Sequence, residues 1–268
     1  MSDVLFEHPS QFREKRAIWR LFEVAPFRLG LARGRIFRWF GTNIPLCLIG
    51  MQGDLDLVLS LKGDPSQDFR QLYETWEVKT TLISRDGRVS SSKSSPAKMN
   101  QLLGQMKKYR HTGSPCVGLL ELFIYEDGAL EGLQGPPSTV FNLIEQRRSL
   151  LARDQLGYRM IHLEHNRDHE SQSIPDYYLG LKVVLFSDSP RDAAPLVSAP
   201  RTTEDNEPFR SLTKLLEAFV NSEVEKGNIR YGNCAVTFCH ACERLITLSP
   251  RGVCVCRYCN ADLISQMG

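Results

Sequence analysis

Three charged residues set the chemical question. The segment ETWEVKTTL, residues 74–82, alternates like a half-buried strand, yet it places Glu77 and Lys79 two positions apart and so on one face. Upstream, GDLDLVL puts Asp54 and Asp56 on one face of an extended segment, with Leu55, Leu57 and Leu59 on the other. Pairing of the two segments brings Asp56 toward Glu77 and Lys79. Converging carboxylates repel each other, and a divalent cation relieves that repulsion. Mg²⁺ suits such a site, because it is bound by one or two carboxylates together with phosphate oxygens and water. A cation held there lowers the pKa of a bound water and stabilises charge developing on phosphorus, while a nearby lysine positions the water and offsets phosphate charge. The plainer alternative is a charge ladder on a solvent-facing strand.

A second constellation lies near the C-terminus. CHAC supplies Cys239 and Cys242, and CRYC supplies Cys256 and Cys259. The intervening ERLITLSPRGVCV reads as strand, turn at Ser249–Gly252, and strand, so the two knuckles form a zinc ribbon with four thiolates around Zn²⁺. So short a segment buries little core, and the metal supplies its folding free energy. Cys254 is an alternative to Cys256, Cys234 is left over, and His240 sits inside the first knuckle as a non-ligand. His165 and His169 share a face only on a helix, whereas HLEHNRDHE, with His162, reads as a strand entering a solvated loop. No Walker loop and no GxGxxG occurs, so ATP and NAD use have no support.

GDLDLVL followed by EVKT at residues 77–80 resembles the PD-(D/E)xK nuclease superfamily. QMKKY adds Gln105 and Tyr109 in the QxxxY spacing of its RecB-like branch. The resemblance covers roughly residues 10 to 125. It implies a restriction-endonuclease-like mixed central sheet flanked by helices. It also implies Mg²⁺ or Mn²⁺ held by Asp56 and Glu77, with the Val78 carbonyl completing the sphere. Lys79 and Gln105 would assist water attack, Tyr109 would support them, and an acid would come from the first helix: Glu14, or alternatively Glu7 or Glu23. The implied substrate is DNA and the implied setting is DNA repair or anti-phage defence, where any ATP-driven helicase or translocase would be a partner subunit. Branch members also clamp iron–sulfur clusters, for which Cys47 would be the upstream ligand; the two CxxC pairs favour zinc. The competing reading is a non-catalytic nucleic-acid- or protein-binding adaptor that keeps the fold.

The elements that must position these residues follow from periodicity. HPSQFREKRAIWRLFEV is predicted as a helix, and IPLCLIGMQGDLDLVLSL as one or two strands broken at Gly50 and Gly53. The strand at 74–82 leads through a Ser-rich loop to a helix, AKMNQLLGQMKKYRHTG, on which Gln105 and Tyr109 share a face. CVGLLELFIYEDG is a strand and STVFNLIEQRRSLLARDQLG a helix capped by Ser138 or Thr139; YRMIHLEH and YYLGLKVVLFS are further strands. This order is α/β. Residues 1–187 form the nuclease-like domain, and 188–209, with four prolines, the linker. Residues 210–268 form a helix-plus-ribbon module whose helix turns Leu212, Leu215, Leu216, Phe219 and Val220 inward.

At 42% hydrophobic and 24% charged residues, the 268-residue chain has the composition of a globular protein. The net charge of +2 announces no polyanionic partner, but residues 13–38 and 85–110 are locally basic, as phosphate-binding faces are. Trp19, Trp39 and Phe40 beside the first run are either base-stacking platforms or core. With no apolar run long enough for a bilayer, no basic-apolar leader, and cysteines clustered for metal, the expected compartment is a reducing cytoplasm.

Overall fold

The computed structural model describes residues 37–63, 72–89, 96–133, 135–165, 181–184, 207–232, 234–248 and 255–263. Within them lie β1 (Phe37–Pro45), β2 (Asp54–Leu61), β3 (Tyr73–Ile83), α1 (Pro96–His111), β4 (Val117–Tyr125) and α2 (Ser138–Arg153). They are followed by β5 (Gly157–His165), β6 (Leu181–Val184), α3 (Glu207–Glu225), β7 (Ala235–Cys239) and β8 (Arg244–Leu248). The strands form one mixed sheet in the order β6-β5-β4-β3-β2-β1-β7-β8. Strands β3, β4 and β5 run parallel, which requires crossovers, and α1 and α2 supply them. The fold class is α/β, as the alternation of elements predicts.

Strand β4, VGLLELFIY, is buried along its whole length, as expected of a central parallel strand covered on both faces. All three described helices pack on one face. Met99, Leu102, Leu103 and Met106 of α1, Val140 and Ile144 of α2, and Phe209, Leu212 and Leu216 of α3 meet Trp39, Val58, Tyr73, Leu119 and Phe123 there. Phe40, Leu57, Leu59, Trp76, Val78, Leu120 and Leu122 build the core on the other face. The helix over 96–111 contains a glycine at its centre. Gly104 is exposed, and among the described residues a Cβ there would meet no atom within 4 Å. A helix-interior glycine costs about 1 kcal/mol relative to alanine, and no internal packing requires this one.

Residues 210–268 were expected as a module of their own; their strands continue the same sheet. Strand β7 pairs in parallel with β1, with Phe40 opposite Ala235 and Thr42 opposite Thr237. Helix α3 is tied to the sheet by Glu217, whose Oε1 accepts from Tyr73 Oη at 2.6 Å and from Arg38 Nη1 at 3.0 Å.

Local differences from expectation have local causes. The strand β1 was not anticipated, and its Trp39 and Phe40 are core residues, 1% and 6% exposed, so neither is a base platform. Leu46–Ile49 is a 3₁₀ turn and not a strand, because the chain must reverse from β1 into antiparallel β2. That reversal is closed by Leu46 N donating to Gly53 O at 2.8 Å, with Gly50 at φ 73°. The N-cap of α2 is Pro137 and not Ser138 or Thr139, and the Thr139 hydroxyl donates instead to Gly87 O at 2.9 Å. Helix α3 starts at Glu207, inside the expected linker, since Pro208 is tolerated in a first turn. Leu215, expected inside, is 37% exposed. His162 and His165 are buried in β5 and not solvated, while His169 lies outside the described residues.

Candidate functional site

Strands β2 and β3 pair antiparallel as far as Leu57 opposite Trp76. One step further the ladder gives way to a side chain: Val78 N donates to Asp56 Oδ2 at 2.9 Å. The amide and carbonyl of one strand residue point to the same edge, so the Val78 carbonyl faces this gap as well. Lys79 Nζ lies 2.6 Å from Glu77 Oε1 and 3.7 Å from Asp56 Oδ2. The three residues that sequence spacing singled out therefore meet where the two strands part. The Asp56 and Lys79 side chains are about one quarter exposed, at 25% and 26%, and that of Glu77 is 1% exposed.

The group faces α1, on the side of the sheet that carries the helices. Tyr109 is buried beneath that helix, and its hydroxyl donates to Glu77 Oε2 while accepting from Asp56 N at 3.4 Å. Burial, and then the charges of Asp56 and Glu77, hold the Tyr109 phenol well above its usual pKa, so it remains a donor. Gln105 lies one turn earlier on the same helix, half-exposed. Glu14, Glu7 and Glu23 lie outside the described residues.

The donor atoms gathered here are carboxylate oxygens. Two carboxyl groups and a single lysine amine give these three residues more acid than base. Glu77 Oε1 is buried without an aligned hydrogen bond, and its near neighbour is the Lys79 ammonium. Oxygen ligands with a carbonyl alongside are the donors that Mg²⁺ and Mn²⁺ take.

Sequence reasoning missed a second buried carboxylate beside this group. Glu121 lies on β4 in register with Lys79. Thr81 Oγ1 donates to its Oε1 at 2.7 Å and Tyr158 Oη to its Oε2 at 2.8 Å, with Arg147 Nε 3.6 Å from Oε2. The signal was a lone acid in an otherwise apolar strand. A charge buried there requires partners, and only the tertiary structure supplies them.

The C-terminal cysteines also converge. Cys239 and Cys259 Sγ are 3.6 Å apart, Cys242 and Cys256 Sγ are 3.7 Å apart, and all four lie within 4.8 Å of one another. A tetrahedron with Zn–S bonds of about 2.3 Å has edges of about 3.8 Å, so these four cysteines can bind a metal such as zinc. Burial works against ionisation of Cys239, but amide and thiol donors from Cys242, Cys256 and Cys259 outweigh it and bring its pKa to about 7. Cys47 and Cys234 stand outside this group; burial pushes the Cys234 thiol to about 12. His240 points to β1, its Nε2 lying 3.2 Å from Asn43 Nδ2, and Cys254 lies outside the described residues.

Glu223 joins the second knuckle to α3. Its side chain is 3% exposed and accepts from Arg257 Nη2 at 2.6 Å, Asn228 Nδ2 at 2.9 Å and Lys226 Nζ at 3.2 Å. Burial opposes its ionisation, but these donors prevail and lower its pKa to about 2.

The chain matches no family profile, no curated protein and no solved structure.

Proposed function

We propose that this protein is a metal-dependent nuclease of the PD-(D/E)xK type, on a restriction-endonuclease-like sheet, hydrolysing phosphodiester bonds in DNA. The observation that carries the reading is the convergence of Asp56, Glu77 and Lys79 at the parting of β2 and β3. Asp56 and Glu77, with the Val78 carbonyl, would hold Mg²⁺ or Mn²⁺. Such an ion supplies a lowered pKa for bound water and electrostatic stabilisation at phosphorus. The protein's own contribution is positioning. The Val78 amide fixes the Asp56 carboxylate, and the Tyr109 hydroxyl fixes Glu77. Lys79 reaches both acids, so a small rotation carries its ammonium to a phosphate oxygen or an attacking water. Gln105, on the helix above, orients the water or the strand. The four-cysteine site takes Zn²⁺ in a structural role, since four thiolates leave no open position for substrate.

The adaptor reading has one observation in its favour: Glu77 is 1% exposed and already engaged by Lys79 and Tyr109, as a purely structural polar cluster would be. The test is cleavage of labelled single- and double-stranded DNA with Mg²⁺ or Mn²⁺ added. Cleavage should fall by at least about a hundredfold in Lys79→Ala and in Asp56→Asn. Cleavage that survives both substitutions refutes the mechanism. Binding without any cleavage by the unsubstituted protein supports the adaptor.

A further inference from the structure

Helix α1 differs from its neighbours in charge. Residues 96–111 include Lys98, Lys107, Lys108, Arg110 and His111, and no aspartate or glutamate. On α2, by contrast, each arginine has a carboxylate within reach: Arg147 with Glu121, Arg148 with Glu145 and Arg153 with Asp154. Among the described residues neither Lys107 nor Lys108 has an acidic partner. The exposed positions among the described side chains of α1 are Asn100, Gln101, Gly104, Lys107, Lys108 and His111. Their spacing of three and four residues makes them one continuous stripe. Every side chain in it offers hydrogen-bond donors, none is a carboxylate, and its centre is the bare backbone of Gly104.

That glycine is unexplained by the protein's own packing, because a Cβ there meets no described atom within 4 Å. Glycine is otherwise used where a ligand must approach the backbone closely. The adjoining flank of the same helix carries Gln105 and Tyr109, the latter bonded to Glu77. We propose that the exposed stripe of α1 is a track for the phosphodiester backbone of a nucleic acid, with Gly104 the point of closest approach and Lys107 and Lys108 paired to flanking phosphates. The inference rests on the nuclease reading for the identity of the polyanion. Its physical basis, a stripe of donor-bearing side chains without a carboxylate around a glycine gap, is separate from the catalytic group.

The experiment is fluorescence anisotropy of a labelled 20-nucleotide DNA strand and its duplex, without added Mg²⁺ or Mn²⁺, across a salt series. The Gly104→Ala variant should bind about fivefold or more weakly through its added methyl, while its melting temperature stays level or rises. Lys107→Ala with Lys108→Ala should weaken binding and flatten the salt dependence by about one unit of slope per lysine. Melting curves establish that each variant is folded, and Gly104→Ser stands in should the alanine variant fail. Unchanged affinity in the folded variants overturns the proposal. So does the absence of oligonucleotide binding by the unsubstituted protein, or binding to anionic vesicles or polyglutamate in its place. DNA that binds through this stripe but is never cleaved with Mg²⁺ or Mn²⁺ leaves the track in place and removes the nuclease reading alone.

Discussion

At the scale of single residues, the candidate site depends on how a buried acid is satisfied. Glu77 is held by an ammonium on one oxygen and a phenol on the other. Removing the phenol in Tyr109→Phe leaves a buried carboxylate oxygen and the Asp56 amide without that partner, which should cost about 1–3 kcal/mol in urea unfolding. An unchanged midpoint would show that the bond contributes nothing. His162 offers a separate test in β5. It stacks on Phe123 with ring centroids 5.4 Å apart, and its Nδ1 lies 2.8 Å from Tyr125 Oη. Burial lowers its pKa from 6.5 to about 4. As pH falls through 6.5 the unfolded imidazole takes a proton that the buried one refuses until about pH 4. Its contribution to stability is therefore full above 6.5 and lost between 6.5 and 4, amounting to about 3 kcal/mol. The stability difference between His162→Phe and the unsubstituted protein should change by that amount across this window. Acid effects on the cysteines are common to both proteins and cancel.

At the scale of elements, α3 is anchored at its middle and near its C-terminal end. Glu217 receives Tyr73 and Arg38 from the sheet, and Glu223 receives Arg257 from the second cysteine knuckle. The knuckle is thus braced by a helix outside the ribbon. Glu223→Ala removes that brace and strands the Arg257 guanidinium. Once loaded with zinc, the variant should release it to a chromogenic chelator several-fold faster than the loaded unsubstituted protein, and should lose about 1–3 kcal/mol of stability. Release at the original rate would show the knuckle to be held by its metal alone. The α1 helix was legible in its length and in the Gln105–Tyr109 face. The role proposed for its exposed side was not legible, because a lysine pair reads the same whether solvated or partnered until neighbouring acids are placed.

At the scale of the whole molecule, the cysteine site and the carboxylate group share one sheet. Cys239 ends β7, β7 pairs with β1, and β1 pairs with the strand that carries Asp56. Cys239 and Cys256 belong to the same apolar cluster as Leu57, Trp76 and Val78. Stripping zinc should therefore loosen more than the ribbon. Hydrogen exchange at Phe40, whose amide donates to Cys234 O at 3.1 Å, and at Thr42, two residues on and facing the same strand, should accelerate well before that of β4, and the thermal midpoint should drop. Protection retained at those amides after metal removal would show the edge to be independent of the site. No described helix is long and apolar enough to cross a membrane.

Local patterns in the sequence were sufficient for the α/β class, for β3, β4 and the three helices, and for the two CxxC knuckles, because side-chain periodicity and ligand spacing are short-range properties. They also identified Asp56, Glu77 and Lys79 as candidates, since alternation on a strand fixes which side chains share a face. The tertiary structure alone decided that β7 and β8 extend the main sheet, that Trp39 and Phe40 are core, and that Glu121, Tyr109 and Glu223 satisfy or complete buried polar clusters. These depend on pairings between residues far apart in the chain, where burial and partner geometry, and not local spacing, determine what a charged side chain does.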